Sequence, residues 1–122
     1  MDQSSGPLAG VRVIDLTTVF MGPSATQVLG DLGADVIKIE APKGDSTRRI
    51  GPKGDLGLSP LFLGLNRNKR SVVLDLKSRA GVEALLRLVE SADVLAYNVR
   101  PAAMKRLGLD YETVSRANPR LI

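Results

Sequence analysis

Four short runs of β-branched and aliphatic residues, separated by stretches with helical spacing, set the tightest limit on what this chain can fold into. They are 11–16 (VRVIDL), 35–39 (DVIKI), 72–76 (VVLDL) and 93–97 (DVLAY). Apolar runs of this length suit strands buried on both faces. The stretches between them carry helix signals. Pro23 opens one in which Ala25, Val28, Leu29 and Leu32 recur at helical spacing, and Gly33 supplies the stop. Residues 60–63 (PLFL) read as a turn of helix. Ser78 caps a helix carrying Val82, Leu85, Leu86 and Val89 on one face. Pro101 begins a short helix that Gly108 ends, and Asp110 caps another reaching Ala117. Strands alternating with helices imply crossover connections. The expected fold is α/β, a Rossmann-like, mostly parallel sheet with helices on both faces. After Asn118-Pro119, the residues Arg120-Leu121-Ile122 read as the opening of a fifth strand, so residues 1–122 read as an incomplete, N-terminal portion of a larger domain.

Two zeros in the composition narrow the chemistry. Without Cys there is no disulfide framework, thiol nucleophile or thiolate metal site, and without His there is no imidazole base. Carboxylates, hydroxyls, Lys, Arg and backbone amides remain, and no metal is expected. Lys and Arg total 17 against 13 acids, a net charge of +4 that suits an anionic partner. The only rings are Phe20, Phe62, Tyr97 and Tyr111, poor equipment for stacking bases, so no nucleic acid is expected. No apolar run approaches the roughly 18–20 residues of a membrane span. The start, MDQSSGPLAG, lacks the basic and apolar regions of a secretory signal, which makes a cytoplasmic protein the expectation.

Ligands of open parallel sheets bind beyond the carboxyl ends of the strands. That rule selects Thr17 to Pro23, the chain from Ala41 onward, Lys77, and Asn98 to Pro101. Glu40 stands where a dinucleotide fold places its ribose-binding acid. The turn after the first run, however, reads Thr17-Thr18-Val19-Phe20-Met21-Gly22-Pro23 and lacks G-x-G-x-x-G, so no nicotinamide or flavin is expected. Residues 41–60, rich in Gly, Pro and charge, have no periodicity and read as one long loop, functional or mobile. Arg67, Lys69 and Arg70 form a basic turn before the third run, Arg48 and Arg49 lie in the long loop, and Arg100, Lys105 and Arg106 follow the fourth run. Most of these read as solvated surface charges. Lys77, Arg100 and Arg106 stand at the ligand edge, where guanidinium and ammonium groups suit phosphate oxygens. Asp15 and Asp75 read as loop caps or partners of a neighbouring Arg, and Asp45 as a residue that orders its loop. None forms a catalytic pair. On the residues alone, the chain is an α/β domain that binds a phosphate-bearing ligand.

The succession PLAGVRVIDLT, GPSATQVLGDLGADVIKIE, KGDSTR, NRNKRSVVLDLK, ADVLAYNVRP, MKRLGLDYETV and NPRLI resembles the N-terminal part of the class III coenzyme A transferases. That family includes formyl-CoA:oxalate and carnitine CoA-transferases and α-methylacyl-CoA racemase. The likeness is collinear from Pro7 to Ile122. It implies a Rossmann-like core without the dinucleotide fingerprint, interlocked dimers, coenzyme A as the substrate that is bound, and transfer of CoA from an acyl-CoA thioester to a carboxylate acceptor. By resemblance, Phe20 and Met21 border the thioester end of CoA. Leu74, Asp75, Leu76 and Lys77 line the adenosine phosphate portion, Asn98, Val99 and Arg100 continue that wall, and Arg106 contacts CoA. Where many members read E-N-F-x-P-G, this chain has Tyr97-Asn98-Val99-Arg100-Pro101-Ala102, so Val99 replaces an apolar ring; Met21 replaces a common Ala. The family's nucleophilic Asp, which forms an aspartyl intermediate, lies beyond the residue matching Ile122. The resemblance therefore implies no catalytic residue within 1–122, and the 122 residues alone are expected to be inactive and ordered only with a partner. The alternatives are an acyl-CoA racemase of the same family and a non-catalytic nucleotide-binding module.

Overall fold

In the computed structural model, which describes residues 5–53 and 57–122, the chain forms four strands, three of them on the apolar runs. These are β1 (Arg12–Asp15), β2 (Asp35–Glu40), β3 (Lys69–Val73) and β4 (Val94–Ala96). All pairings are parallel, in the order β3-β2-β1-β4. The register sets Val13 beside Val36 and Val94, and Ile14 beside Ile37 and Leu95. Because side chains alternate across a strand, these two rows face opposite ways. The row of Val13 and Val36 packs with Leu29 of α1 (Met21–Asp31). The row of Ile14, Ile37, Ile39 and Leu95 packs under three helices: α3 (Arg79–Glu90) through Leu85 and Val89, α4 (Pro101–Arg106) through Met104, and α5 (Tyr111–Ala117) through Val114. Helix α2 (Pro60–Asn66) packs beside α1. The fold is Rossmann-like α/β with helices on both faces. Among the described residues, no helix is long and apolar enough to cross a membrane.

The caps fall where side-chain chemistry puts them. Ser78 Oγ accepts from Gly81 N–H at 3.1 Å, and Asp110 Oδ1 accepts from Thr113 N–H at 3.1 Å. Gly33, at φ 102°, follows α1 in the left-handed region that favours glycine. Ile122 N–H donates to Asp93 O, and Leu95 N–H to Ile122 O, so Ile122 bonds the free edge of β4 while the sheet itself has four strands.

Three expectations need correction. The third strand is 69–73, not 72–76, so Lys69 and Arg70 belong to a strand rather than a basic turn. Asp75 consequently leaves the sheet. After Leu74 N–H bonds Glu40 O, Asp75 turns the chain by accepting from Lys77 N–H at 3.0 Å. The PLFL turn is the first part of a two-turn helix, α2, capped by Ser59. The 41–60 segment is not uniformly irregular: Asp45 caps a 3₁₀ turn over Ser46–Arg49, whose Arg48 lies 3.8 Å over the Phe62 ring of α2. Residues 54–56 of that segment, like residues 1–4, lie outside the described residues.

Candidate functional site

The strand order reverses at β1: the chain moves outward through β2 and β3, then returns to place β4 on the other side of β1. Loops leaving β1 and β4 diverge at such a point and open a crevice beyond the carboxyl ends of the strands. A cleft of about 520 Å³ lies there, lined by Leu16 and Thr18 after β1, Ile39 to Lys43 at the end of β2, Leu74 to Lys77 after β3, Val99 after β4, and Met104 and Leu107. A second hollow of about 450 Å³ shares Leu76, Lys77 and Leu107 with it and adds Arg79, Glu83 and Arg106. A mainly apolar cleft thus adjoins a groove carrying Lys77, Arg106 and the Arg79–Glu83 ion pair. Such a surface can take a flat apolar group and phosphates on one ligand.

The residues singled out from sequence divide into three groups. Leu74, Asp75, Leu76, Lys77 and Val99 meet in the cleft, and Arg106 stands in the adjoining groove. Asn98 clasps the opposite wall: its Oδ1 accepts from Thr18 N–H at 3.0 Å, and its Nδ2 donates to Thr18 O at 2.9 Å. Phe20, Met21 and Arg100 line neither hollow. Phe20 and Met21 are 50% and 77% exposed at the start of α1, and Arg100 is exposed ahead of α4. Sequence reasoning missed Thr18, Lys43, Met104 and Leu107 as individual wall residues. Thr18 and Lys43 fall inside segments the strand-end rule selects. The apolar face of α4 was the only signal for the other two.

Beneath the cleft, the α1 side of the sheet turns ionic toward the strand ends. Asp15 and Lys38 are register partners, and Glu40 follows on the same face of β2. Lys69 Nζ lies 3.0 Å from Asp15 Oδ2, and Lys38 Nζ lies 3.0 Å from Asp45 Oδ2, with all four side chains at most 2% exposed. Burial pushes the Lys69 ammonium below its ordinary value against the attraction of Asp15. Burial works to raise the Asp45 carboxyl, but hydrogen bonds from Thr47 and Lys38 hold it below the usual carboxylate range. Glu40 accepts from Arg48, from the Ser71 hydroxyl and from Asp45 N–H. Its carboxylate is therefore fully engaged and unavailable to a ribose. Burial opposes its ionisation, yet the bonds from Arg48, Ser71 and Asp45 N–H lower it from 4.5 to about 2. A carboxyl depressed in the folded state stabilises the fold above its unfolded value, and that stability is lost as pH falls through the folded value. Thermal unfolding should accordingly show a stability loss on the order of 2 kcal/mol between pH 4.5 and 2 that Glu40→Gln removes. Equal slopes in both proteins would contradict it.

The family description CoA-transferase family III matches residues 8–122. An acetyl-CoA:oxalate CoA-transferase of Acetobacter aceti is 51% identical over 96% of this chain and 30% of its own length. A formyl-CoA:oxalate CoA-transferase of Streptomyces coelicolor is 48% identical over 94% of this chain and 28% of its own. The crystal structure of a CAIB/BAIF family protein from Brucella suis superposes with a TM-score of 0.91 at 42% identity, covering 98% of this chain and 32% of that one. The chain thus spans about a third or less of the length of the relatives it matches. It belongs to CoA-transferase family III.

Proposed function

We propose that these residues supply the CoA-binding walls of an enzyme that moves coenzyme A from an acyl-CoA thioester to a carboxylate acceptor through an aspartyl intermediate. The observation that carries this reading is the apolar cleft at the strand-order reversal, joined through Leu76 and Lys77 to a groove holding Lys77, Arg79 and Arg106. Coenzyme A has matching parts: an adenine ring, a pyrophosphate and a 3′-phosphate. The relatives named above support the reaction class, since their names specify CoA transfer with oxalate. Family resemblance assigns the nucleophilic aspartate to a region beyond the residue matching Ile122, and assigns a homodimer to the whole enzyme. Residues 1–122 by themselves are accordingly expected to transfer no CoA.

Calorimetric titration of a full-length protein tests the binding claim. Arg106→Ala should weaken CoA by about 1.5–3 kcal/mol, the worth of a charge-assisted hydrogen bond. The loss should be much smaller for dephospho-CoA if Arg106 meets the 3′-phosphate. Equal losses would move Arg106 to the pyrophosphate, and no loss for either ligand would remove it from the site.

A further inference from the structure

The turn between β1 and α1 is not held by its own backbone. Among the described residues, no backbone–backbone hydrogen bond reaches Thr17, Thr18 or Val19. Side chains from three distant segments bond the two peptide groups flanking Thr18 instead. In the first peptide, Lys38 Nζ donates to Thr17 O at 2.9 Å, and Asn98 Oδ1 accepts from Thr18 N–H at 3.0 Å. In the second, Asn98 Nδ2 donates to Thr18 O at 2.9 Å, and Asp45 Oδ2 accepts a long bond from Val19 N–H at 3.4 Å. All four polar groups of these two peptides are thereby taken up. The conformation they impose is one the sequence resists, because Val19 sits at φ 72°, a region costly for a β-branched side chain. Lys38 and Asp45 form one ion pair, so a single buried unit grips both peptides, from 1% exposed side chains that cannot reach the cleft themselves.

We propose that the Lys38–Asp45 ion pair is a positioning device that holds the Thr17–Val19 turn with Val19 in its left-handed conformation, so that Thr18 forms a rigid, preset wall of the ligand cleft. Asn98 completes the clasp from the other side. The part of this claim that concerns affinity rests on the CoA reading given above. The part that concerns the turn does not.

The two parts are read separately on the intact chain. A residue at positive φ brings its amide and α protons close together, so Val19 should show a strong intraresidue amide–α NOE. In Asp45→Asn that signal should weaken to the level of extended residues. Because this variant leaves Lys38 with an uncompensated buried charge, the paired change Lys38→Met with Asp45→Asn removes both charges and keeps the experiment readable if the single variant does not fold. In either background CoA should bind about tenfold more weakly, a loss of the order expected when a strained residue is released. Adding Val19→Gly should then recover most of the affinity, because glycine adopts the left-handed conformation without help. An unchanged NOE in the paired variant would overturn the positioning claim. So would an affinity loss that Val19→Gly fails to recover, since a merely structural defect elsewhere would give that result. If the wild-type chain binds no CoA, the function reading fails, and the NOE still decides whether the ion pair holds the turn.

Discussion

Lys69→Met should cost about 3–5 kcal/mol of stability, the loss typical of removing one partner from a buried ion pair. The Lys69 ammonium, with three N–H groups, lies among four acceptors: Asp15 Oδ2 at 3.0 Å, Pro23 O at 2.8 Å, Thr26 Oγ1 at 2.7 Å and Asn66 Oδ1 at 3.1 Å. One side chain on β3 thus ties together the end of β1, the first turns of α1 and the last residue of α2. Methionine fills the volume but leaves the fully buried Asp15 carboxylate with only hydrogen bonds from Thr17 and Thr26. Urea unfolding should show a lower midpoint with an unchanged slope. Lys105→Met, on an exposed face, should stay within about 0.5 kcal/mol. A loss for Lys69→Met no larger than that of Lys105→Met would mean that the ion pair does not organise this end of the sheet.

Gly81→Ala should destabilise the chain by about 1–3 kcal/mol, the usual range for overpacking, although alanine is intrinsically the better helix former. A Cβ at Gly81 would overlap the backbone carbonyl of Asp75, and its amide is already bonded to Ser78 Oγ. Relief requires moving the 74–77 segment, which is the wall shared by the two hollows, so CoA affinity should fall along with stability. Gly64 in α2 is the internal control. A Cβ there meets nothing within 4 Å, so Gly64→Ala should stabilise by up to about 1 kcal/mol. Urea midpoints for the two variants should therefore move in opposite directions. A shared direction would mean that the close approach of α3 to Asp75 relaxes at little cost.

Much of this was legible from local chemistry. Ser78, Asp110 and Gly33 announce their helix ends because capping depends on residues within one turn. The strand-end rule found four of the segments that build the cleft. The register of β3 was not legible, because VVLDL is the more apolar run and KRSVV looks like a surface turn. Lys69 enters the strand to reach Asp15, which lies 54 positions earlier in the chain, and no local pattern encodes that pairing. The stretch Asp35–Glu40 did hold an unread signal. Its alternation places Val36, Lys38 and Glu40 on one face and Ile37 and Ile39 on the other, so a buried charge layer follows once the strand is known to be central. Asn98 reads as a wall residue by position, yet its amide is bonded to Thr18 across 80 residues, a contact that only the fold reveals.

The central claim is that coenzyme A occupies the cleft at the reversal of strand order. Titration of CoA into the isotopically labelled chain, followed by amide chemical shifts, tests it most directly. The expected result is saturable change concentrated at Thr18, at residues 74–77, and at Val99 and Met104 to Leu107, with the β3 edge at Arg70 and Val72 unmoved. Saturable change confined to surfaces outside those segments, or none at concentrations well above those of a cellular cofactor, would contradict it.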